Sequence, residues 1–126
     1  MKRVVTAAVL LIVLAVSCFG SYRYIARTSA SLDRAAGEVF SRVEAGNFDA
    51  ARQEMDEAYA SWRGRRSPLS ALVRHNELDD IDRLYQRTRQ ALDNEDRNES
   101  LLQLRELRAM LRYLPEMEKP NYSNIL

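Results

Sequence analysis

The sequence is poor in the residues from which most catalytic and metal sites are built. It has one cysteine, one histidine, four glycines and three prolines among 126 residues. A single cysteine excludes a disulfide framework, and together with a single histidine it excludes a zinc centre made of several such ligands. So few glycines leave no glycine-rich loop for a phosphate group. We therefore predict a protein that is not an enzyme and that carries no cofactor.

The charge of the chain is nearly balanced. Nineteen lysine and arginine residues against 18 aspartate and glutamate residues give a formal net charge of +1. Nucleic-acid-binding domains usually carry a clear basic excess. The balance therefore predicts no nucleic-acid partner.

An apolar run without charged residues extends from Val4 to Tyr22, directly after two basic residues. As a helix it would rise about 28 Å, close to the thickness of the hydrocarbon core of a bilayer. We therefore predict that residues 1–22 form an uncleaved, single-pass membrane anchor and that the membrane is one partner of the chain.

Two alternatives to this anchor stay open. The segment has the features of a secretory signal, and residues 14–18 fit a permissive lipoprotein processing box in which Cys18 would carry lipid. The apolar helical pattern continues past Cys18 to Ile25. This continuity favours an anchor that is not cleaved and a Cys18 that is not modified.

The side of the membrane is read from the flanking charges. Lys2 and Arg3 precede the apolar run, and Arg23, Arg27 and Arg34 follow it, so the positive-inside count is close to even. A very short basic segment before the first apolar run is typical of exported chains. We therefore predict a protein of the cell membrane whose carboxyl-terminal part lies outside the cytoplasm.

The rest of the chain is predicted to be all-α. It is rich in alanine, leucine, arginine and glutamate, and its apolar residues recur at steps of three and four. We predict four helices. The first continues from the membrane segment to Gly46-Asn47, and the second, capped by Asn47, runs from Phe48 to Trp62 and is ended by Arg63–Arg66. The third starts at Ser67-Pro68, and the fourth is capped by Asp96 and ends at Leu114.

These helices predict an antiparallel four-helix bundle over residues 23–114, followed by an irregular tail over 115–126. A shift of 49 places aligns Leu32 with Ile81 and Trp62 with Leu111, which indicates two similar αα-hairpins with turns like those of tetratricopeptide units. Trp62 is expected in the core, facing Leu111 or its neighbours.

One constellation of residues has the composition of a metal site. His75 is followed at helical spacing by Asp79 and Asp82. An imidazole with carboxylates can bind a divalent cation, but no second histidine completes the site. We expect His75 to be structural, donating a hydrogen bond to Asp79, and we keep a metal site at these three residues as the weaker alternative.

A second candidate site is basic. In an up-down-up-down bundle the second and fourth helices return toward the membrane, which brings a basic turn and the chain's tail to the same end. The predicted membrane-proximal basic residues are Arg23, Arg27, Arg63, Arg65 and Arg66.

The order of several short motifs resembles a known family. These motifs are the basic start with its apolar segment, Trp62 at the end of the second helix, the stretch His75–Ile81, and the closing Glu118-Lys119-Pro120 and Asn124-Ile125-Leu126. The chain resembles, over nearly its full length, the small membrane-anchored helical proteins of bacteria known as domain of unknown function 4363. This resemblance implies a helical domain outside the cytoplasm, and it implies no activity, substrate or catalytic residue.

The sequence thus predicts a non-enzymatic, membrane-anchored extracytoplasmic module for protein–protein interaction at the cell envelope. The expected partner is another envelope protein. The alternative is an extracytoplasmic sensor of a small ligand or metal centred on His75.

Overall fold

The computed structural model describes residues 1–117 and confirms the all-α fold class. Within these residues the helices are α1 (Lys2–Glu44), α2 (Phe48–Ser70), α3 (His75–Asp93), α4 (Arg97–Tyr113) and a short 3₁₀ helix, η1 (Leu114–Met117). Helix α4 ends just before Leu114-Pro115, as predicted, because a proline disfavours helical geometry in the residue that precedes it. Most of the predicted irregular tail lies outside the described residues.

Helix α1 is one uninterrupted rod that begins in the apolar segment and ends in the bundle. Its buried residues start at Ile25 and continue through Leu32, Ala36, Val39 and Val43. Their spacing of three, four and seven residues places them on one face of the helix. The single helix predicted from the continuous apolar stripe is therefore confirmed.

The four helices form an antiparallel bundle in which each helix packs on two others. Helix α1 contacts α2 and α4, and α3 contacts α4 and α2. Because the chain runs up, down, up and down, the ends of α2 and α4 and the start of α3 lie at the end next to the apolar segment, which we call the base. The opposite end, which contains the α1–α2 and α3–α4 turns, is called the distal end.

The two distal turns have the same geometry, 49 residues apart. Gly46 and Glu95 both have positive φ angles, of 76° and 52°. The next residue in each turn, Asn47 or Asp96, caps the following helix with its side chain. The backbone hydrogen bonds also correspond, since Asn47 N–H bonds the carbonyl of Arg42 as Asp96 N–H bonds that of Ala91. The two hairpins indicated by the sequence shift therefore share the construction of their turns.

The predicted boundary between the second and third helices is wrong. Arg63–Arg66 do not form a turn, because α2 continues through them and through Pro68 to Ser70, and α3 starts at His75. Pro68 lies near the end of the helix, where it removes a single hydrogen bond. Leu69 lies seven residues after Trp62 on the same face, and both are fully buried. The burial of Leu69 outweighs the cost of the proline.

Trp62 lies in the core, as predicted. Its ring is fully buried and stacks on Tyr85 of α3, with ring centroids 5.7 Å apart. Its indole Nε1 donates a hydrogen bond to Asp82, also on α3. Trp62 thus joins α2 to α3, whereas the sequence pattern placed it opposite Leu111 of α4.

Candidate functional site

The apolar segment of α1 lies entirely outside the bundle. An 18-residue window there has a mean hydropathy of 2.5 and none of it is buried. By length and composition, this part of α1 is suited to cross a membrane once. The first fully buried residue, Ile25, follows the last residue of the apolar run, Tyr22, by three positions, or about 4.5 Å along the helix. The bundle therefore starts where the apolar segment ends.

Contacts between α1 and α2 fix the height of the base. Arg65 Nη1 donates to Thr28 Oγ1 at 3.4 Å, and farther up Arg42 Nε bonds Glu54 Oε1 at 2.9 Å. Ser70 follows Arg65 by five residues, as Arg23 precedes Thr28 by five. In this antiparallel register the end of α2 lies beside the start of the exposed basic part of α1, so the loop after α2 lies at the base.

The three arginines in the last part of α2, Arg63, Arg65 and Arg66, point in different directions because successive residues of a helix lie on different faces. Arg65 faces α1 through Thr28, and Arg63 lies over the ring of Tyr59, with its Cζ 5.8 Å from the centroid. Arg66 turns to α3, where its Nε bonds Asp82 at 2.8 Å and its Nη2 bonds Asp79 at 2.5 Å. Only Arg65 of the three contacts α1, so no single basic cluster forms from them.

Asp82 is the centre of the polar contacts that join α2 and α3 around Trp62 and Arg66. One carboxylate oxygen accepts from Trp62 Nε1 and the other from Arg66 Nε. Tyr85 lies beside this network with its hydroxyl buried and unpaired among the described residues. Burial raises the pKa of Tyr85, and the negative charge of Asp82 raises it further, so the hydroxyl stays protonated.

His75 stands apart from this network. It is the exposed first residue of α3, and its side chain has no hydrogen bond within residues 1–117, so the expected bond to Asp79 is not formed. Asp79 and Asp82 are held by Arg66 instead. In the described part of the chain, no three histidine, cysteine, aspartate or glutamate side chains are grouped closely enough to hold a metal ion.

A second charged network joins α1 to α4 and was not predicted. Asp33 accepts from Arg108 Nε at 2.8 Å and from Arg112 Nε at 3.1 Å. The guanidinium of Arg108 lies against Gly37, where a Cβ would stand 3.1 Å from Cζ. Nearby, Ser29 Oγ donates to the carbonyl of Leu111. These contacts hold the last turns of α4 against the turns of α1 that first enter the bundle.

We expect Asp33→Asn to reduce stability at neutral pH but much less in acid. Partial burial favours a higher pKa for Asp33, but the hydrogen bonds and charges of Arg108 and Arg112 outweigh it and lower the pKa below 3.8. A carboxyl whose pKa is depressed by folding stabilises the fold above its unfolded pKa, and this stabilisation is lost as the pH falls through the folded pKa. The loss thus begins below about pH 4.

The measurement is urea unfolding of the full chain in detergent micelles at pH 7 and pH 2.5, followed by far-UV circular dichroism. At pH 7 the wild type should be more stable than Asp33→Asn by about 1–2 kcal/mol, and at pH 2.5 this difference should shrink. A difference that is equal at both pH values would contradict the assigned role of Asp33.

Cys18 lies in the exposed apolar part of α1, seven residues before the first buried residue. The helix passes through it without a break. Lipidation of Cys18 therefore stays an alternative prediction beside simple anchoring.

A comparison with protein families matches residues 19–125 to a family described as Domain of unknown function (DUF4363). The chain belongs to this family. The match begins near the end of the apolar segment and includes the whole bundle of the DUF4363 protein. Comparisons with curated proteins and with solved structures found no match.

The family description confirms the resemblance inferred from the motifs and assigns no activity. The function must therefore be inferred from three features of the structure: an apolar rod, a bundle that starts where the rod becomes polar, and a base bearing exposed arginines.

Proposed function

We propose that this DUF4363 protein is a non-enzymatic, single-pass membrane protein whose helical domain lies outside the cytoplasm and binds another protein of the cell envelope. The observation that carries the proposal is the continuity of α1 from the apolar segment into the core. Because one helix lies in both the membrane and the bundle, every surface of the domain is held at a fixed height above the membrane.

The geometry of α1 supports a partner close to the membrane. From Tyr22 to the end of α1 at Glu44 the helix rises about 33 Å. Ile25 is already packed in the core, so no flexible linker separates the domain from the apolar segment. The domain thus presents its faces within about 35 Å of the membrane surface and in one orientation. This suits contact with a second membrane protein better than capture of a freely diffusing one.

The outer face of α4 is the most suitable surface for such a partner. Among residues 25–116, Leu102 and Tyr113 are the exposed large hydrophobic residues, and the exposed Ala109 lies between them. Spacings of seven and four residues place all three on one stripe, which we call the α4 stripe. Aromatic side chains are enriched at interfaces, and apolar residues aligned on one helix face are a recurring mode of partner recognition.

The proposed side of the membrane is supported by the very short basic segment, Lys2-Arg3, that precedes the apolar run, because such a start is typical of exported chains. A direct check uses Ala45→Cys, in the exposed distal turn, in a Cys18→Ser background. A maleimide that does not cross membranes should label the Ala45→Cys variant in intact cells. Labelling only after the cells are opened would place the domain in the cytoplasm.

The binding function is tested by photo-crosslinking of the full chain in native membranes. A photoreactive amino acid is placed at Leu102 or Tyr113 of the α4 stripe and, as a matched control, at the exposed Glu57 or Ser61 of α2. We expect one discrete adduct from the α4 positions and little from the α2 positions. Adducts that are absent, or equal from both helices, would contradict the proposal.

A further inference from the structure

The base carries arginines that are not neutralised by carboxylates of the described residues. Arg23 and Arg27 are exposed on α1, and Arg74 is exposed in the loop between α2 and α3. Arg65 bonds the neutral hydroxyl of Thr28. No ion pair within residues 1–117 involves any of these four side chains. We call these four residues the basal arginines.

The acidic residues near the base are mostly held by other cations. Asp79 and Asp82 are paired with Arg66, and Asp80 is paired with Arg83 at 2.7 Å. On the other side, Asp33 binds two arginines. Glu77 and Glu116 are the carboxylates of the described base that have no such partner. Two carboxylates share Arg66 and two arginines share Asp33, so these two groups offset each other, and the charges left without an ion-pair partner at the base are predominantly positive.

The position of the basal arginines matches the depth of lipid headgroups. Arg23 directly follows the apolar run, Arg27 lies about 7 Å above Tyr22, and Thr28, which holds Arg65, lies about 9 Å above it. The headgroup region extends roughly 5–7 Å beyond the hydrocarbon core, and arginine side chains reach along their stems toward it. Arg23 and Arg27 lie on the face of α1 opposite the buried Ile25, so their side chains point away from the bundle core.

We propose that the basal arginines bind the anionic phospholipid headgroups of the bilayer that α1 crosses, and so seat the bundle on the membrane surface. The inference rests on the proposed membrane anchoring and adds a lipid preference to it. Headgroup phosphate oxygens accept paired hydrogen bonds from arginine, and in anionic headgroups no ammonium group offsets the negative charge of the phosphate. The contact fixes the lower end of the domain, and the rigid bundle then holds the α4 stripe at a constant height.

The test measures lipid binding to the full chain in detergent micelles by native mass spectrometry, with phosphatidylglycerol, phosphatidylcholine or inorganic phosphate added. We expect phosphatidylglycerol to bind in preference to phosphatidylcholine, and added salt to weaken that preference. Arg23→Gln, Arg27→Gln and Arg74→Gln combined should lower phosphatidylglycerol affinity by about fivefold for each arginine removed.

The matched control removes the same charge elsewhere, through Arg87→Gln, Arg97→Gln and Arg105→Gln combined. These arginines are also exposed and without an ion pair in the described part of the chain, but they lie away from the base. The control should keep the preference for phosphatidylglycerol. An equal loss in both triple variants, or free phosphate competing at the same concentration as the lipid, would overturn the proposal.

Failure of this inference is distinguishable from failure of the anchor. If both lipids bind with equal affinity, the anchor stands and the lipid preference is refuted. If the full chain stays monomeric in water without detergent or lipid, the anchor itself is refuted, and the lipid proposal with it.

Discussion

Replacement of Trp62 by alanine is expected to lower the free energy of unfolding by about 3–5 kcal/mol. The ring is fully buried, it stacks on Tyr85, and its Nε1 donates to Asp82. Truncation opens a large cavity between α2 and α3 and leaves Asp82 without one of its donors. Small domains have a total stability of only about 5–15 kcal/mol, so the variant should lose a large share of the stability of the domain.

Urea unfolding of the full chain in micelles, followed by far-UV circular dichroism, measures this loss. Trp62→Phe is the matched control, because it keeps an aromatic ring against Tyr85 and removes the Nε1 donor. It should cost clearly less than the alanine variant. A loss below about 1 kcal/mol for Trp62→Ala would show that the indole is exposed in solution and available to a partner.

Replacement of Asp82 by alanine is expected to have the second largest effect and to lower the free energy of unfolding by about 2–3 kcal/mol. Asp82 accepts from Trp62 Nε1 and from Arg66 Nε, and its side chain is 31% exposed. The variant leaves the buried indole N–H without an acceptor, which carries the full cost of its desolvation. Arg66 keeps a contact with Asp79 and is the less affected partner.

Asp80→Ala is the matched control on the same helix. Its partner, Arg83, lies three residues along α3, and the two side chains are 49% and 64% exposed. Surface ion pairs of this kind contribute a few tenths of a kcal/mol. The same unfolding experiment should therefore separate the two aspartates clearly. Equal effects of Asp80→Ala and Asp82→Ala would contradict the central position of Asp82 in the α2–α3 contact.

The parts of the fold that were predictable from the sequence are those fixed by local chemistry. The caps Asn47 and Asp96 act through residues three positions away, so the sequence alone locates them. The apolar stripe of α1 is also a local signal, since the spacing of its residues predicts a helix even when the helices that pack against it are unknown. The same holds for the end of α4 before Leu114-Pro115.

The end of α2 was not predictable because two local signals disagreed with a tertiary one. Gly64 and Ser67-Pro68 are typical of a helix end and a helix start. The structure buries Leu69 in line with Trp62, and that gain depends on neighbouring helices. A spacing of seven residues between the two side chains was the available signal.

The charged contacts of the candidate site depend on the packing of distant helices. Asp33 and Arg108 are far apart in the sequence, and no spacing rule connects them before the register of α1 and α4 is known. His75 and Asp79 show the opposite case, since a helical spacing predicts a bond that the structure does not form. Arg66, from the preceding helix, competes for the same carboxylate.

We propose above all that α1 passes from the membrane into the bundle without a break. Hydrogen–deuterium exchange of the full chain in lipid nanodiscs tests it directly, through the backbone amides of residues 17–28. We predict slow exchange throughout this range, continuous with that of Ala36 and Val39 in the core. A run of rapidly exchanging amides between Phe19 and Ile25, or a chain that begins at a lipid-modified Cys18, would contradict it.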